Sequence, residues 1–320
     1  MDVYTRLSDV PAEFGPSVVT IGKFDGVHRG HELMIDRLLT DARANSFVPT
    51  VLTFDRNPLS VLAPDACPPE LVSNAQKLEL LDRAGVEATV MLEFTRAFSE
   101  NSPREFVELM LVQALHAKIV LIGEDFRFGR RGAGDSEVLR DLGGELGFRV
   151  DILPRVEHDG RRVSSTWVRE LLDAGDVRGA ETILGRRPSV RGTVVRGEQR
   201  GRELGFPTAN LAPKPEGFVP ADGVYAAWAD VDGARYPAAV SIGNNPTFAG
   251  VPERQVEAHI MGHGRDAIEL ELYGKLLELQ FVDRVRGMVA FDGPAALVDQ
   301  IADDVEQVRS MLSSDPERAR

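Results

Sequence analysis

The chain has 320 residues, of which 43% are hydrophobic, and a formal net charge of -13. This length exceeds that of most single domains and allows sizeable cores, so we expect two folded domains rather than disorder. The acidic balance argues against a general nucleic-acid surface, although local phosphate pockets are compatible with it. A single cysteine, Cys67, excludes a disulfide framework and a cysteine-rich metal site.

The sequence shows no signal peptide, and no apolar run approaches the roughly 20 residues of a membrane span. We therefore expect a cytoplasmic protein whose partners are small molecules, with no nucleic-acid or membrane partner. The sequence predicts no particular oligomeric state.

In the first half of the chain, short apolar runs rich in Val and Ile alternate with amphipathic segments of helical period. Nearly continuous apolar strands separated by such helices indicate a doubly wound parallel sheet that is covered on both faces. Ligands of such a sheet bind beyond the carboxyl ends of its strands. The predicted strands are 18–22, 50–54, 88–94, 118–123 and 148–153, and the helices between them are 32–44, 75–85, 103–116 and 136–147.

A domain boundary is indicated where this alternation gives way to short strands punctuated by Gly, Pro and Asp-Gly. The last helix predicted before the change covers 165–175. We place the boundary near Arg186, so that the predicted domains are residues 1–185 and 186–320.

The second domain is predicted to be a small β-barrel with a C-terminal helix. Apolar residues flank an Asp-Gly pair, Asp232 and Gly233, which predicts a hairpin over 224–243. Further strands are predicted at 256–261 and 276–282. The closing segment has apolar residues at helical spacing, which would lie along one buried face: Leu297, Ile301, Val305, Val308 and Leu312.

Two histidines, His28 and His31, lie between the first predicted strand and the first predicted helix. A strand, a glycine loop and a helix start form a phosphate-binding geometry, because free backbone N–H groups and the helix dipole point at the anion. Imidazoles there can donate hydrogen bonds to phosphate oxygens and stabilise a departing pyrophosphate, and Gly30 permits close approach. The alternative is that the histidines cap carbonyls of the loop. For Asp25, the alternatives are a bond to the loop's own backbone and a catalytic role.

The run GKFDGVHRGH (22–31) resembles the His-x-Gly-His signature of nucleotidyltransferases. More narrowly, it is similar to the adenylyltransferase module of prokaryotic bifunctional riboflavin kinase/FAD synthetases. Three further segments agree in order: TFDRNP (53–58), GEDFRFGRRGAG (123–134) and SSTWVRELL (164–172). The resemblance spans the whole chain and implies a nucleotidyltransferase-like first domain with these ATP-binding residues: Gly22, Phe24, Asp25, Gly30, Ser165, Thr166 and Arg169.

The same resemblance implies flavin-binding roles for Asn57, Asp125, Phe126 and Phe128. An isoalloxazine ring binds between aromatic and apolar walls, whereas packing in the core is the alternative for the two phenylalanines. The family commonly has His at the position of Asn57, so one expected cation or imidazole donor is missing from the adenylylation site.

Residues 164–166 lie at the start of a predicted helix, so N-capping explains one of them without a ligand. Arg169 lies one turn later. Its guanidinium can grip ATP phosphates, as the resemblance implies, or pair with a nearby carboxylate.

A second phosphate-binding pattern lies in VVRGEQRGRELGFPTANL (194–211), where GFPTAN resembles the riboflavin kinase signature. The resemblance assigns Mg²⁺ binding to Thr208 and Asn210, which suits a cation that prefers hard oxygen ligands and takes few from protein. The alternative is that both residues complete a turn. The ATP-binding residues that the resemblance implies here are Gly197, Gly205 and Pro207, in a run that also contains Gly201.

The strand QVEAHIM resembles a kinase-family strand in which a carboxylate orients a substrate hydroxyl and accepts its proton. This role falls to Glu257, for which an outward-facing strand carboxylate is the alternative. His259 shares the face of Glu257 by the period of a strand and is placed beside the site.

The resemblance implies a bifunctional enzyme of flavin cofactor biosynthesis. Its second domain would phosphorylate riboflavin with Mg-ATP to FMN, and its first domain would transfer AMP from ATP to FMN, giving FAD and pyrophosphate. One alternative is a flavin-sensing or regulatory protein with an impaired module, which Asn57 favours. Another is an adenylyltransferase for a different phosphorylated metabolite.

Overall fold

The chain divides into two compact units, Met1–Ser165 and Thr166–Arg320. Among the described residues, no helix is both long enough and apolar enough to cross a membrane. The computed structural model describes residues 1–197, 205–244, 254–262, 271–291 and 293–315.

The first unit is built on a parallel sheet, which confirms the predicted doubly wound architecture. Its strands are β1 (Asp2–Tyr4), β2 (Ser17–Ile21), β3 (Val48–Phe54), β4 (Ala88–Leu92), β5 (Ala117–Gly123) and β6 (Arg149–Leu153). They lie in the order β1-β4-β3-β2-β5-β6, and every neighbouring pair is parallel. Strand β1 was not predicted, because it has three residues and most of it is exposed.

The helices of this unit follow the predicted alternation. The predicted helix 103–116 is a short α-helix continued by a π-helix over Val107–Ala114. A small antiparallel pair, β7 (Glu157–His158) and β8 (Arg161–Arg162), closes the unit. The α-helices are α1 (Arg29–Asn45), α2 (Leu59–Leu62), α3 (Asn74–Arg83), α4 (Arg96–Ser99), α5 (Pro103–Phe106) and α6 (Ser136–Leu146).

Successive residues of the central strands belong to two different cores. On β2, Val19 and Ile21 pack into one cluster and Val18 into the other. On β3, Leu52 and Val51 are divided in the same way. Because side chains alternate across a strand, both faces of the sheet are covered, which is why these strands are almost purely apolar.

The strand order reverses between β2 and β5. In open α/β sheets, ligands bind in the crevice outside the carboxyl ends of the strands at such a reversal. The loop after β2 carries the predicted histidines, and the loop after β5 carries the predicted flavin residues. The topology therefore places both motifs at the same edge of the sheet.

The second unit is a closed antiparallel barrel, as predicted. Its hairpin turns at Asp232 and Gly233, whose positive φ angles of 51° and 79° suit a tight two-residue turn. The barrel order is β10-β13-β12-β11-β14-β9, with β9 pairing back to β10. The strands are β9 (Ser189–Val195), β10 (Ala209–Leu211), β11 (Gly223–Val231), β12 (Ala234–Gly243), β13 (Gln255–Ile260) and β14 (Leu276–Arg286).

The predicted C-terminal helix is α9 (Pro294–Ser313), and its apolar stripe packs on the barrel. Val308 and Leu312 lie against Trp228 of β11. Just beyond the helix, the buried carboxylate of Asp315 accepts from Arg187 Nη2 at 2.5 Å and from Trp228 Nε1 at 2.8 Å. This ion pair joins the two ends of the barrel region.

Two further helices, α7 (Ser165–Ala174) and α8 (Val177–Leu184), precede the barrel. The Leu172 carbonyl accepts from the Ala221 N–H at 2.9 Å, and the Arg178 guanidinium pairs with Asp283 of β14 at 2.9 Å. Helix α8 was not predicted from the sequence. By their contacts, residues 166–185 group with the barrel, whereas the predicted domain boundary places them in the first domain.

Candidate active sites

The loop that carries the histidines has an unusual backbone. Phe24, Gly26 and Val27 have positive φ angles of 49°, 80° and 39°. For Phe and Val such a conformation costs on the order of 1–3 kcal/mol each, so it persists only where the surroundings enforce it. Here the fully buried Phe24 and the buried Val27 pack into the core beside α1. The loop is therefore held rigidly in front of the helix.

His28 and His31 form a stacked pair at the start of α1. His28 occupies the N-cap position and is 7% exposed, and His31 lies one turn into the helix. Their ring centroids are 3.8 Å apart with planes 14° from parallel, and the Phe24 ring lies 4.9 Å from His31. The predicted pair is thus brought together at the positive end of the α1 dipole, where an anion is favoured.

Gly30 gives the His28 ring close clearance. A Cβ at residue 30 would lie 3.1 Å from His28 Cε1 and 3.2 Å from Nδ1, which is tighter than ordinary contact. At Gly22, a Cβ would lie 3.1 Å from Cε2 of the Phe24 ring. The two glycines leave room for side chains of the loop itself.

Asp25 connects the histidine loop to more distant segments. Its Oδ1 accepts from the Leu71 N–H at 2.8 Å, and its carbonyl accepts from Ser165 Oγ at 2.9 Å. The carboxylate therefore bonds a segment 46 residues away. Thr166 and Arg169 lie in the second unit, in α7, with Thr166 exposed and Arg169 buried.

A small pocket adjoins the loop and contains Asn57. The Asn57 Oδ1 accepts from the Leu59 N–H at 3.1 Å, so this side chain also stabilises the start of α2. The pocket lies where the loops after β2 and β3 meet the segment before α3, and it is rich in charge. Its lining residues are Lys23, Asp25, Arg56, Asn57, Glu70, Val72 and Lys77.

The predicted flavin loop after β5 shows two environments. Phe128 is buried in the core, with its ring 5.5 Å from Phe106, whereas Phe126 is half-buried and stacks on Phe128 at 5.4 Å. Phe128 therefore serves core packing, and of the two rings Phe126 is the one with accessible surface. Burial alone would raise the pKa of Asp125, but the hydrogen bond and charge of Arg162, 2.7 Å away, lower it.

In the second unit, the predicted kinase residues converge on one end of two paired strands. Asn210 of β10 lies opposite Glu257 of β13 in the antiparallel register. The Thr208 Oγ1 donates to Glu257 Oε2 at 3.3 Å. A hydroxyl, an amide and a carboxylate are thereby gathered at one place, which the turn alternative for Thr208 and Asn210 does not explain.

The oxygens of Thr208 and Asn210 suit Mg²⁺, which prefers hard oxygen ligands. A Cβ on Gly197 would lie 2.5 Å from Asn210 Nδ2 and 2.8 Å from its Oδ1, so only glycine leaves this amide in place. Within the described ranges, no cluster of three or more His, Cys, Asp or Glu residues could hold a metal ion.

His259 supports the turn that precedes Thr208. Its Nδ1 donates to the Pro207 carbonyl at 2.9 Å, and its ring meets Phe206 edge to face at 5.5 Å. Burial lowers the pKa of this histidine. Gly205, at the start of the turn, has a φ of 88°, and Gly201 lies outside the described residues.

Comparison with known proteins gives matches across both units. A family model for FAD synthetase matches residues 10–167, and one for riboflavin kinase matches residues 184–312. The chain is 34% identical to the bifunctional riboflavin kinase/FMN adenylyltransferase of Escherichia coli (strain K12), over 93% of each chain. It is also 34% identical to the Pseudomonas fluorescens protein of that name, over 99% of this chain and 100% of that one.

A solved structure described as a macrolide-efflux protein from Streptococcus pneumoniae is 32% identical. The two structures superpose with a TM-score of 0.85, covering 96% of this chain and 98% of the other. Both family models fall in the order of the two units, and the relatives span nearly the whole chain. The chain therefore belongs to the family of bifunctional riboflavin kinases/FMN adenylyltransferases.

Proposed function

We propose that the second unit phosphorylates riboflavin to FMN and that the first unit adenylylates FMN to FAD. The observation that carries this division of labour is the presence of two separate candidate phosphate-binding sites. One is the stacked histidine pair at the start of α1, and the other is the Thr208–Glu257 contact beside Asn210.

In the kinase step, Glu257 orients the ribityl 5′-hydroxyl and accepts its proton as the oxygen attacks the γ-phosphorus of ATP. The new bond joins the 5′-oxygen to this phosphorus, and the bond to the bridging oxygen of ADP breaks. Thr208 and Asn210 would hold Mg²⁺, which when bound neutralises phosphate charge. The Thr208 hydroxyl at 3.3 Å also holds the Glu257 carboxylate in place.

In the adenylylation step, a phosphate oxygen of FMN attacks the α-phosphorus of ATP and pyrophosphate leaves. This nucleophile is already anionic, so no strong base is required. His28 and His31 donate hydrogen bonds to the phosphates, and the start of α1 adds its positive dipole end. Ser165, Thr166 and Arg169 are proposed to bind ATP. Asn57, Asp125 and Phe126 are proposed to contact the flavin, and the buried Phe128 to support the Phe126 ring from behind.

Incubating the purified protein with riboflavin, ATP and Mg²⁺ and then separating FMN from FAD tests the proposal. We expect FMN to form first and FAD to follow. Formation of FMN alone would favour the regulatory alternative with an impaired first module. If neither product forms, another phosphorylated substrate is indicated.

The partners proposed are riboflavin, FMN and ATP, with Mg²⁺ as the metal. The single cysteine suits a reducing compartment, which supports a cytoplasmic location. The net charge of -13 supports the absence of a nucleic-acid partner.

The Gly197→Ala variant is expected to need a several-fold higher Mg²⁺ concentration for half-maximal FMN formation. The added methyl group would displace the Asn210 amide, which lies within 2.8 Å of its position. The measurement is a Mg²⁺ titration of FMN formation at saturating ATP. Gly192→Ala on β9 is the matched control, because its Cβ would meet Pro215 at an ordinary 3.4 Å. Superimposable titration curves for Gly197→Ala and wild type would remove Asn210 from the metal site.

Fragments 166–320 and 186–320 are both expected to fold and to convert riboflavin to FMN without making FAD. We propose 186–320 as the kinase domain, because the barrel and α9 share their own core. The longer fragment should unfold at a higher temperature, since it keeps the Arg178–Asp283 ion pair and the buried face of α8. Thermal unfolding measures the stability of each fragment, and FMN formation measures its kinase activity. If 186–320 is folded but inactive, adding fragment 1–185 shows whether the kinase needs residues from the first domain.

A further inference from the structure

Lys77 is a buried cation in the first unit. It belongs to α3, which begins with a capping box between Ser73 and Gln76, and only 7% of its surface is exposed. Lysine is almost never buried to this extent without partners, because removing an ammonium group from water costs several kcal/mol. This burial places the Lys77 side chain in the wall of the charged pocket that contains Asn57.

The contacts of Lys77 hold the end of β3. Its Nζ donates to the Phe54 carbonyl at 3.1 Å and to Asn74 Oδ1 at 3.4 Å. The Asn74 Nδ2 in turn donates to the Asp55 carbonyl at 2.6 Å, and Asp55 Oδ1 accepts from the Phe94 N–H at 3.0 Å. Residues 54 and 55 lead directly into Asn57, so these contacts set where that side chain enters the pocket.

The charged side chains of the pocket contribute unequally to its electrostatic potential. The Arg56 guanidinium lies 2.6 Å from Asp55 and 3.7 Å from Glu93, so its charge is largely balanced by these carboxylates. Lys23 is exposed, and water screens its charge. The Lys77 ammonium is shielded from water, where electrostatic interactions are stronger. It opposes the carboxylates of Asp25 and Glu70, which also line the pocket.

We propose that Lys77 is a positioning residue for adenylylation, whose ammonium fixes the end of β3 and offsets the carboxylates of Asp25 and Glu70, so that a phosphate group of ATP or FMN can approach the pocket. The Asp25 side chain lines the pocket and belongs to the histidine loop, so the pocket adjoins that loop. A lysine has three ammonium hydrogens, and the bonds to Phe54 and Asn74 use two of them. This role rests on the proposed function of the first unit.

A pH dependence follows from the same geometry. Burial lowers the pKa of Lys77, and the carboxylates of Glu70, Asp25 and Asp55 only partly oppose this shift. As pH rises through the lowered pKa, the ammonium loses its proton, so FAD formation should decline at a lower pH than an exposed lysine would give. Between the lowered and the ordinary pKa, the unfolded chain binds more protons than the folded chain. The free energy of unfolding is therefore reduced below the lowered pKa of Lys77 and rises with pH across this range.

The test compares Lys77→Met with Lys118→Met, an exposed lysine on β5, in the full-length protein. For Lys77→Met we expect FAD formation from supplied FMN to fall at least tenfold and its alkaline decline to disappear. FMN formation from riboflavin and the unfolding temperature should stay near those of wild type, because loss of the buried charge offsets loss of its hydrogen bonds. Lys118→Met should leave both products unchanged.

The KM values for the two substrates show which substrate's phosphate group the pocket binds. A higher KM for ATP at saturating FMN assigns the pocket to the nucleotide, and a higher KM for FMN at saturating ATP assigns it to the flavin phosphate. FAD formation within twofold of wild type in Lys77→Met overturns the proposal. If Lys77→Met unfolds, Lys77→Arg decides: a pH profile identical to that of wild type overturns the proposal, and an alkaline decline moved to higher pH supports it. Failure of wild type to form FAD would instead refute the proposed function.

Discussion

The His28→Ala and His31→Ala variants are each expected to lower FAD formation by about 10² or more while FMN formation continues at the wild-type rate. The stacked rings stand at the positive end of α1, where they can donate to phosphates as negative charge moves to pyrophosphate. Removing one ring also removes the stacking partner of the other, at a centroid distance of 3.8 Å. The double variant should therefore be little worse than either single variant, because coupled sites are not additive.

The measurement follows both products in one reaction, with His158→Ala in the β7–β8 hairpin as the control. Supplying FMN separately isolates the adenylylation step. Equal loss of FMN and FAD would contradict the assignment of the histidines to the first unit. A loss below tenfold in FAD formation would mean that the rings serve the structure of the loop.

Glu257→Gln is expected to reduce FMN formation by about 10²–10⁴, the usual contribution of a general base. The substitution preserves size, and its amide oxygen can still accept from Thr208 Oγ1, which lies 3.3 Å from the carboxylate in the native protein. The barrel should therefore stay intact while the proton acceptor is lost. FAD formation from supplied FMN should be unchanged.

Glu278→Gln is the matched control, because that carboxylate lies on β14 of the same barrel and accepts from Ser189 Oγ at 2.8 Å. The rate of FMN formation at saturating riboflavin and Mg-ATP is the quantity to compare. Wild-type turnover in Glu257→Gln would assign the proton to another acceptor, and equal loss in both variants would indicate damage to the barrel.

The fold was largely predictable because its strands are apolar runs long enough to be recognised locally. Helix α8 was missed although its signals are present: Asp176 accepts from the Gly179 N–H at 2.8 Å, and Gly185 ends the helix at a φ of 79°. The glycine at 179 and the following Arg-Arg-Pro obscured its short apolar stripe. The π-helical geometry over Val107–Ala114 has the same apolar pattern as an α-helix and gives no separate signal.

The histidine loop was predictable because its signature is contiguous. The pocket beside it was not, because its members come from separate segments: Asp25 bonds Leu71, 46 residues away, and Lys77 bonds Phe54, 23 residues away. A lysine in an amphipathic helix ordinarily indicates a solvent-exposed face, so no local pattern in the sequence predicted the burial of Lys77. The split between buried Phe128 and half-buried Phe126 likewise depends on contacts with Phe106.

The buried Arg187–Asp315 ion pair makes the barrel suitable for circular permutation. It brings a residue just before β9 within 2.5 Å of a residue just after α9, 128 positions later. Breaking a buried pair by removing one partner typically costs about 3–5 kcal/mol, so this junction resists separation. A short linker could therefore connect these two points, and new ends could be opened at the Asp232–Gly233 turn, because adjacent termini are what circular permutation requires. We therefore expect a circularly permuted barrel, with its original ends linked and its new ends at this turn, to fold.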